Sequence, residues 1–369
     1  MGDNIIINGD SLVELNKLKE NSVDLIFADP PYWMRTEGVL KRVEGTDFDG
    51  CDDEWDHFDS LDEYEHFTRQ WLSACQRVLK PNGSIWVIGG MQCIYTIGAI
   101  MQDLGFWIIN DVIWHKKNPT PNFMGTRLNN SHETLIWATK SKSSKYTFNY
   151  KTAKELNRDN VEDSEFESGM RKQLGSVWKI GVCSGNERLK DSKGNKLHST
   201  QKPEELLDRI ILISSRKGDI VLDPFGGTMT TAAAAKRHGR KYIMIERDQK
   251  YCEFGEKRLK DVEYIDSDLA NAVFDIKPAK VSMHEMISAG AFIPGEDFMF
   301  RDGIPIAKLT TDGKLEYNDK ILDMHMCAAL ARKVKANRLN GFDYWHVVRE
   351  GKIVSISSIR EEYRKHKAA

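Results

Sequence analysis

Cysteine is scarce in this chain of 369 residues, and the six present (positions 51, 75, 93, 183, 252 and 327) show no CxxC spacing and no pairing pattern. A disulfide framework and a zinc site are therefore not expected, no metal is expected, and reduced thiols in a cytoplasm are the simplest reading. The opening residues MGDNIIINGD have neither the basic region nor the long apolar region of a signal peptide. Long uncharged runs are also rare. Residues 81–102 carry no charge, but Gly89 and Gly90 interrupt them and Gln92, Thr96 and Gln102 recur along them. A buried strand followed by a buried helix explains that run better than a membrane span. Net charge is small as well, at −2, but its distribution is segregated. Residues 43–68 hold eleven acids and no Lys or Arg, residues 140–158 hold six basic residues against Glu155, and residues 320–369 hold eleven basic against five acidic. Each run alone fits a solvated face, whereas two separated basic stretches also suit a polyanion.

With 40% hydrophobic residues the chain can bury a sizeable core without staples. Strand-like runs occur at 5–8, 23–28, 84–90, 107–114, 133–139, 219–223 and 241–246, mostly continuously apolar, as in a parallel sheet covered on both faces. Helix-like segments fall at 11–19, 61–79, 91–104, 203–215, 230–238 and 249–262, the first with Ser11 as N-cap and Glu14 three residues on. This alternation predicts a doubly wound α/β sheet. Between residues 140 and 198 the pattern dissolves, and after residue 278 it changes to short strands and Gly turns, read as a separate small domain behind a linker near 263–280.

The most unusual stretch is VDLIFADPPYWMRT, in which an apolar strand runs into Asp29, Pro30, Pro31 and Tyr32. Ligands of open α/β sheets bind at the carboxyl ends of strands. The two prolines stiffen the corner and remove two donors, Asp29 and the Pro30 carbonyl accept hydrogen bonds, and Tyr32 offers a flat face. A planar group bearing an amino function fits such a corner; a capped strand-to-loop turn is the structural alternative. A second strand end, in GDIVLDPFGGTMTTAAAAKRHGRKYIMIERD, carries Asp223, a loop with Gly226 and Gly227, and then Glu246 at the following strand end, placed to accept from ribose hydroxyls. The G-x-G-x-x-G of a dinucleotide site is missing.

Taken together, ADPPYW, VLDPFGGTMTT and HSTQKP resemble the motifs of DNA amino-methyltransferases that use S-adenosylmethionine. The catalytic motif comes before the cofactor loop, which is the order of the circularly permuted β class. DDEWDHF, NDVIWHKKNPTPNFMGTRLNNSHETLIWATKS and YTFNYK are similar to one subgroup, the HinfI-type and cell-cycle-regulated adenine methylases that act on G-A-N-T-C. The tail from MHEMISAGAFIPGE to NGFDYWHV resembles the C-terminal module that accompanies them.

The resemblance implies a Rossmann-like, doubly wound, seven-stranded methyltransferase sheet over 1–262 with a target-recognition insertion at about 140–198. It also implies a small α+β DNA-binding domain at 281–369. Asp29, Pro30, Pro31 and Tyr32 are then the catalytic corner for an extruded adenine. Asp223, Phe225, Gly227, Thr228, Thr230 and Glu246 become the cofactor loop and ribose acid, Asp10 and Ser11 meet the cofactor's adenine, and Lys202 and Pro203 lie near its methionine end. One departure stands out: Met229 occupies the place of the family's second loop glycine, where it either crowds the cofactor or points into the core. Double-stranded DNA is the expected partner, with Arg35, Lys41, Asn122, Arg127 and Asn129 as candidate contacts near the site. In the tail the candidates are the cluster Arg332, Lys333, Lys335 and Arg338, read as one helix face for phosphates, and Trp345, read as a base platform or as core. Loop stabilisation is the alternative for the asparagines and Arg127. His115 and the pair His132–Glu133 read as structural or orienting groups. A homodimer bound to DNA in the cytoplasm is the expected form. The competing functions are a cytosine-N4 methyltransferase, disfavoured by Asp at residue 29, and a DNA-binding regulator with a degenerate site, motivated by Met229.

Overall fold

The computed structural model describes residues 4–34, 40–41, 47–48, 56–122, 125–157, 172–190, 194, 196–198, 200–277 and 279–368. Arg35 and the Lys41 side chain lie outside the described residues. The chain divides into two compact units, Met1–Ile276 and Lys277–Ala369.

The strands of the first unit are β1 (Ile5–Asn8), β2 (Val23–Ala28), β3 (Leu40–Lys41), β4 (Asp47–Phe48), β5 (Leu79–Gly89), β6 (Trp107–Lys116), β7 (His132–Thr139), β8 (Val177–Ile180), β9 (Ile220–Asp223) and β10 (Lys241–Glu246). Its helices are α1 (Ser11–Lys17), α2 (Leu61–Val78), α3 (Ile94–Asp103), α4 (Tyr150–Glu155), α5 (Glu204–Ser214), α6 (Thr230–Arg237) and α7 (Gln249–Lys260). The main sheet runs β1-β10-β9-β2-β5-β7-β6-β8; its first five strands are parallel, and β7 is antiparallel to both neighbours. A doubly wound sheet is the result, and β2 shows why its strands read as continuously apolar. Leu25 and Phe27 face α5 and α6, while Val23, Ile26 and Ala28 pack with residues of α2 and α3 on the other side. Helices cover both faces, so the strand is apolar except at Asp24, whose carboxylate is paired with Lys80 at 2.8 Å.

Eight strands form this sheet, one more than the sequence pattern predicts. The extra one, β8, comes from the stretch read as a recognition insertion and pairs parallel to β6. Its four residues are too few to register as a periodic run, yet Trp178 is fully buried with Trp86, their ring centroids 5.7 Å apart. Burying one such side chain is worth on the order of 1.5–3 kcal/mol, enough to fix a short strand. Residues 263–276 also differ from their reading as linker, because they are packed into the first unit. The Asp275 carboxylate accepts from the Lys151 and Thr152 amides, and the Ile265 amide donates to the Arg237 carbonyl. The N-cap of α1 is Asp10, not Ser11: its carboxylate accepts from the Leu12 and Val13 amides, and the Ser11 hydroxyl donates to the Pro224 carbonyl. The uncharged run 81–102 divides between β5 and α3, and among the described residues no helix is long and apolar enough to cross a membrane.

The second unit contains α8 (Met283–Ser288), β11 (Asp297–Met299), β12 (Pro305–Leu309), β13 (Leu315–Tyr317), β14 (Lys320–Leu322), α9 (Met324–Ala331), α10 (Gly341–Tyr344), β15 (His346–Arg349), β16 (Lys352–Ser355) and α11 (Ile356–Ala368). Six strands form an antiparallel sheet in the order β14-β13-β12-β11-β15-β16. Trp345 is fully buried at its core, stacked on Phe300 at 5.0 Å, with its indole N–H donating to the Met324 carbonyl. A base cannot reach it without unfolding the unit, so the platform reading is corrected to core. The cluster at Arg332, Lys333, Lys335 and Arg338 does not form a helix face either. α9 ends at Ala331, Lys333 has φ +52°, Arg332 lies over the rings of Phe300 and Tyr344, and Arg338 pairs with Asp323 at 2.9 Å.

Met229 resolves the departure in the cofactor loop. It sits at the N-cap of α6 with φ +60°, and its side chain is wholly buried. The side chain lies against α7, where a Cβ built on Gly255 would come 2.2 Å from Met229 Cγ. Methionine in this loop therefore requires glycine on the facing helix. Gly255→Ala should destabilise the protein by about 1–3 kcal/mol through overpacking. In a Met229→Gly background the same change should be neutral or stabilising, since alanine is the better helix former. Urea unfolding of the four proteins tests the coupling, and additive effects would disprove the pairing.

Candidate active site

The corner after β2 is held by a residue far along the chain. Asp56, buried, accepts three successive backbone amides with one carboxylate: Tyr32 N at 2.6 Å, Trp33 N at 2.7 Å and Met34 N at 2.7 Å. Three converging N–H groups require a turn in which Trp33 takes φ +51°. The Trp33 indole N–H donates to the Phe58 carbonyl, and the Tyr64 hydroxyl of α2 donates to the Pro31 carbonyl. Three groups, the Asp56 carboxylate, the Phe58 carbonyl and the Tyr64 hydroxyl, thus fix Pro31, Tyr32 and Trp33. Burial raises the Asp56 carboxyl above its usual value against the pull of these three amides.

A chain of charges runs through the corner. Lys202 Nζ lies 2.7 Å from Asp29 Oδ2, 3.9 Å from Glu133 Oε2 and 5.1 Å from the centre of the Tyr32 ring. The Tyr32 hydroxyl donates to Glu133 at 2.9 Å, and Lys116 pairs with the other Glu133 oxygen at 2.7 Å. Lys202 is only 7% exposed. Burial pushes the Asp29 carboxyl up, partly offset by Lys202. Burial would also raise Glu133, but Lys202 and Lys116 outweigh it and hold that carboxyl below its usual range. Burial alone would lower Lys202; Asp29 and Glu133 reverse the direction and keep it an ammonium. Desolvation places the Tyr32 phenol well above its ordinary value, so it remains a donor.

The parallel register brings further acids to the same edge. Asn8 is opposite Glu246, Met244 is opposite Asp223, and Ile26 is opposite Leu222, so Asp10, Glu246, Asp223 and Asp29 follow or close four neighbouring strands. They line one cavity of about 550 Å³ with Ser11, Phe225, Gly227, Thr228, Thr230, His198 and Lys202. Asp223 accepts from the Phe225 amide and the Thr231 hydroxyl, yet burial still drives it up to about 7. Glu246 accepts from the amides of Gly227 and Asp248, each at 2.8 Å, which ties the glycine loop to the end of β10. Gly227 has φ +48°, in the region that favours glycine, and faces His198. Arg258 donates to the Thr228 carbonyl and to Thr230 Oγ1.

Of the residues singled out from the sequence, Asp29, Pro30, Pro31, Tyr32, Asp10, Ser11, Lys202, Asp223, Phe225, Gly227, Thr228, Thr230 and Glu246 line this cavity, whereas Pro203 precedes α5 and is not among the lining residues. Asn122, Arg127 and Asn129 lie in the β6–β7 loop, whose flanking strand ends supply Lys116 and Glu133. There the Asn122 amide donates to the Arg127 carbonyl, and Arg127 donates to Asn130. Internal bonding of this kind matches the loop-stabilising alternative, while Arg127 and Asn129 remain exposed. His115 and His132 face each other across β6 and β7. Sequence reasoning missed Asp56, Tyr64 and Lys116. Asp56 is one of eleven acids in its run, and although it lies in the DDEWDHF motif, nothing in that motif gives it a role at the corner; Tyr64 reads as an ordinary core residue of an amphipathic helix.

A family model described as DNA methylase matches residues 23–257. Type II methyltransferase M.HinfI of Haemophilus influenzae is 47% identical over 98% of this chain and 96% of its own length. Type II methyltransferase M2.LlaDCHI of Lactococcus lactis subsp. cremoris is 39% identical over 69% of this chain and 88% of its own. Among solved structures, the M1.HpyAVI–SAM complex is 26% identical and covers 69% of this chain and 98% of its own, with a TM-score of 0.48. Matched by the family over more than half its length and by M.HinfI over nearly all of it, the chain belongs to the DNA methylase family.

Proposed function

We propose that this DNA methyltransferase acts on the N6 amino group of an adenine extruded from G-A-N-T-C duplexes and takes the methyl from S-adenosylmethionine. The observation that carries the reading is the acidic edge itself, in which a carboxylate beside an aromatic face at Asp29 and Tyr32 shares one cavity with Asp10, Asp223 and Glu246. The cavity suits the cofactor's chemistry. Carboxylates match a cationic ligand with amino and hydroxyl donors, and Phe225 and Leu12 add apolar surface. Bound there, S-adenosylmethionine supplies a methyl group on a positively charged sulfur. Glu246 and Asp10 would hold its ribose and adenine ends, and Asp223 and Thr228 its amino-acid end.

The protein's own part is positioning. Asp29 accepts from the amino group, Tyr32 stacks on the base, and Asp56 and Tyr64 keep the corner rigid, so the nitrogen lone pair is directed at the methyl carbon. On transfer the nitrogen gains a methyl and gives up one proton, for which Asp29, raised by burial, is a competent acceptor. With Met229 in the core, the motive for a degenerate site is gone. The similarity to HinfI-type enzymes supports G-A-N-T-C as the target, and the basic tail at 320–369 supplies phosphate contacts. A homodimer acting on both strands of that palindrome, in the cytoplasm, belongs to the same reading; sedimentation with and without duplex tests it.

Asp29→Ala should lower methyl transfer by at least about 100-fold with DNA binding nearly unchanged. Labelled-methyl transfer and a binding assay on the same preparation decide it, and activity within about tenfold of wild type rejects the assignment.

Asp223 gives a pH-dependent prediction. Its folded pKa of about 7 exceeds the unfolded value of 3.8, so the folded state holds a proton that the unfolded state has lost. The resulting penalty is absent at low pH, grows between about pH 4 and pH 7, and is complete above that window. Asp223→Asn should gain stability over wild type across that window and hold a constant advantage above it. Urea midpoints from acid to alkaline pH report this.

A chain ending at Ile276 should keep the cavity and bind cofactor. Its DNA affinity should fall and its salt dependence become shallower, because the removed residues 277–369 carry sixteen basic against twelve acidic residues, the excess lying in 320–369 with eleven against five. Salt titration of both forms on a G-A-N-T-C duplex measures the slopes, and equal slopes would remove the tail from DNA binding.

A further inference from the structure

The two features that would receive the target base are already in use within the protein. Lys202 Nζ donates to Asp29 at 2.7 Å and stands over the face of Tyr32 at 5.1 Å, so an N–H donor above an aromatic ring takes the place of the base's amino group. On its other side is Glu133, 3.9 Å away. Glu133 is fixed by Lys116 and by the Tyr32 hydroxyl and is 13% exposed, hence a ready second acceptor about 1 Å beyond contact distance. The motif resemblance puts Lys202 at the methionine end of the cofactor; its geometry gives it a second partner.

We propose that Lys202 holds the amino-acceptor site at Asp29 until the target base docks and then moves onto Glu133, so that Lys202 and Glu133 are positioning residues for base entry. The idea rests on the reading of Asp29 and Tyr32 as the amino-binding corner. The movement is electrostatically balanced. The ammonium remains charged and exchanges one buried carboxylate for another, and neither Asp29 nor Glu133 is left in the interior without a donor. The arriving amino group supplies to Asp29 the hydrogen bond that Lys202 gives up. It also gives a selective step, since a base with no amino hydrogens to offer cannot displace the ammonium without stranding a buried carboxylate. Other titratable groups facing this corner are Lys116, Tyr32, Cys93 and Asp223. The thiol of Cys93 is pushed up to about 12 by burial and stays neutral, and Asp223 is common to all the variants below, so a shift on removing Lys202 reports on the two carboxylates it faces, Asp29 and Glu133, and the shift that remains in the double variant with Glu133→Gln reports on Asp29.

The test uses the full-length protein, a G-A-N-T-C duplex that keeps adenine at the target position and carries 2-aminopurine at the neighbouring N position to report extrusion and docking of that adenine, and an unlabelled duplex for steady-state transfer across pH. Lys202→Met should move the acid limb of kcat upward by at least about one pH unit, because Asp29 loses its counter-ion, and above that limb docking should be tighter than in wild type. Glu133→Gln should weaken docking and lower kcat by about tenfold with the cofactor KM within about threefold of wild type. In the double variant the docking defect of Glu133→Gln should vanish, since Glu133 acts through Lys202. Should Lys202→Met fail to fold, the kcat-against-KM split of Glu133→Gln still decides. A Lys202→Met protein with an unmoved acid limb and a raised cofactor KM would overturn the proposal and return Lys202 to the cofactor. So would a docking defect in Glu133→Gln that persists in the double variant. If wild type methylates no adenine, the reading of the reaction fails; if wild type does so and these signatures are missing, only the counter-ion exchange fails.

Discussion

A carboxylate removed from water must be given donors, and in the first unit this requirement governs the whole carboxyl edge of the sheet. Asp56 is satisfied by three backbone amides, Asp29 by an ammonium, Glu133 by two lysines and a phenol, Glu246 by two amides, and Asp223 by one amide and one hydroxyl. The differences among these sets give the acids different characters at neutral pH. Glu133 is held below its usual range, Asp29 and Glu246 are raised, and Asp223 reaches about 7. The same donors fix the loops: the amides that neutralise Asp56 are those of the corner bearing Tyr32, and the amide that binds Glu246 belongs to the glycine loop.

Strand order makes the arrangement possible. Because β1, β10, β9, β2 and β5 run parallel, their ends open on one side, and acids separated by more than 200 residues become neighbours. Functional loops on a rigid, doubly covered sheet can then hold unusual backbone geometry, such as φ +51° at Trp33 and φ +60° at Met229. At Met229 the loop departs from the motif it otherwise resembles without lining the cavity, since Gly255 on α7 leaves room for the side chain.

The second unit is organised on the opposite principle. Its largest aromatic residues are turned inward, with Trp345 and Phe298 fully buried in a self-contained core, while Lys308, Lys320 and Lys352 are exposed on its strands and Lys333, Lys335 and Arg338 after α9. Two features of its sequence that read as DNA contacts are engaged within the unit itself: Trp345 as core, and Arg338 as the partner of Asp323.

The strands, their alternation with helices, the corner at residue 29 and the glycine loop were all legible in the sequence, because each is a local pattern: an apolar run of a given length, two prolines, a glycine pair, an acid at a strand end. Motif resemblance located the cavity's residues for the same reason. Only the tertiary structure decided which acid in the run at 43–68 supports the corner, that Lys202 faces Asp29, that Met229 is core, that β8 joins the sheet, and that Trp345 is out of reach. Each of these depends on which distant backbone or side chain fills the remaining space or supplies the missing donor, and such contacts leave no periodicity in the chain. The sequence determined what kinds of groups would stand at the strand ends; packing and the need to neutralise buried charge determined which of them meet.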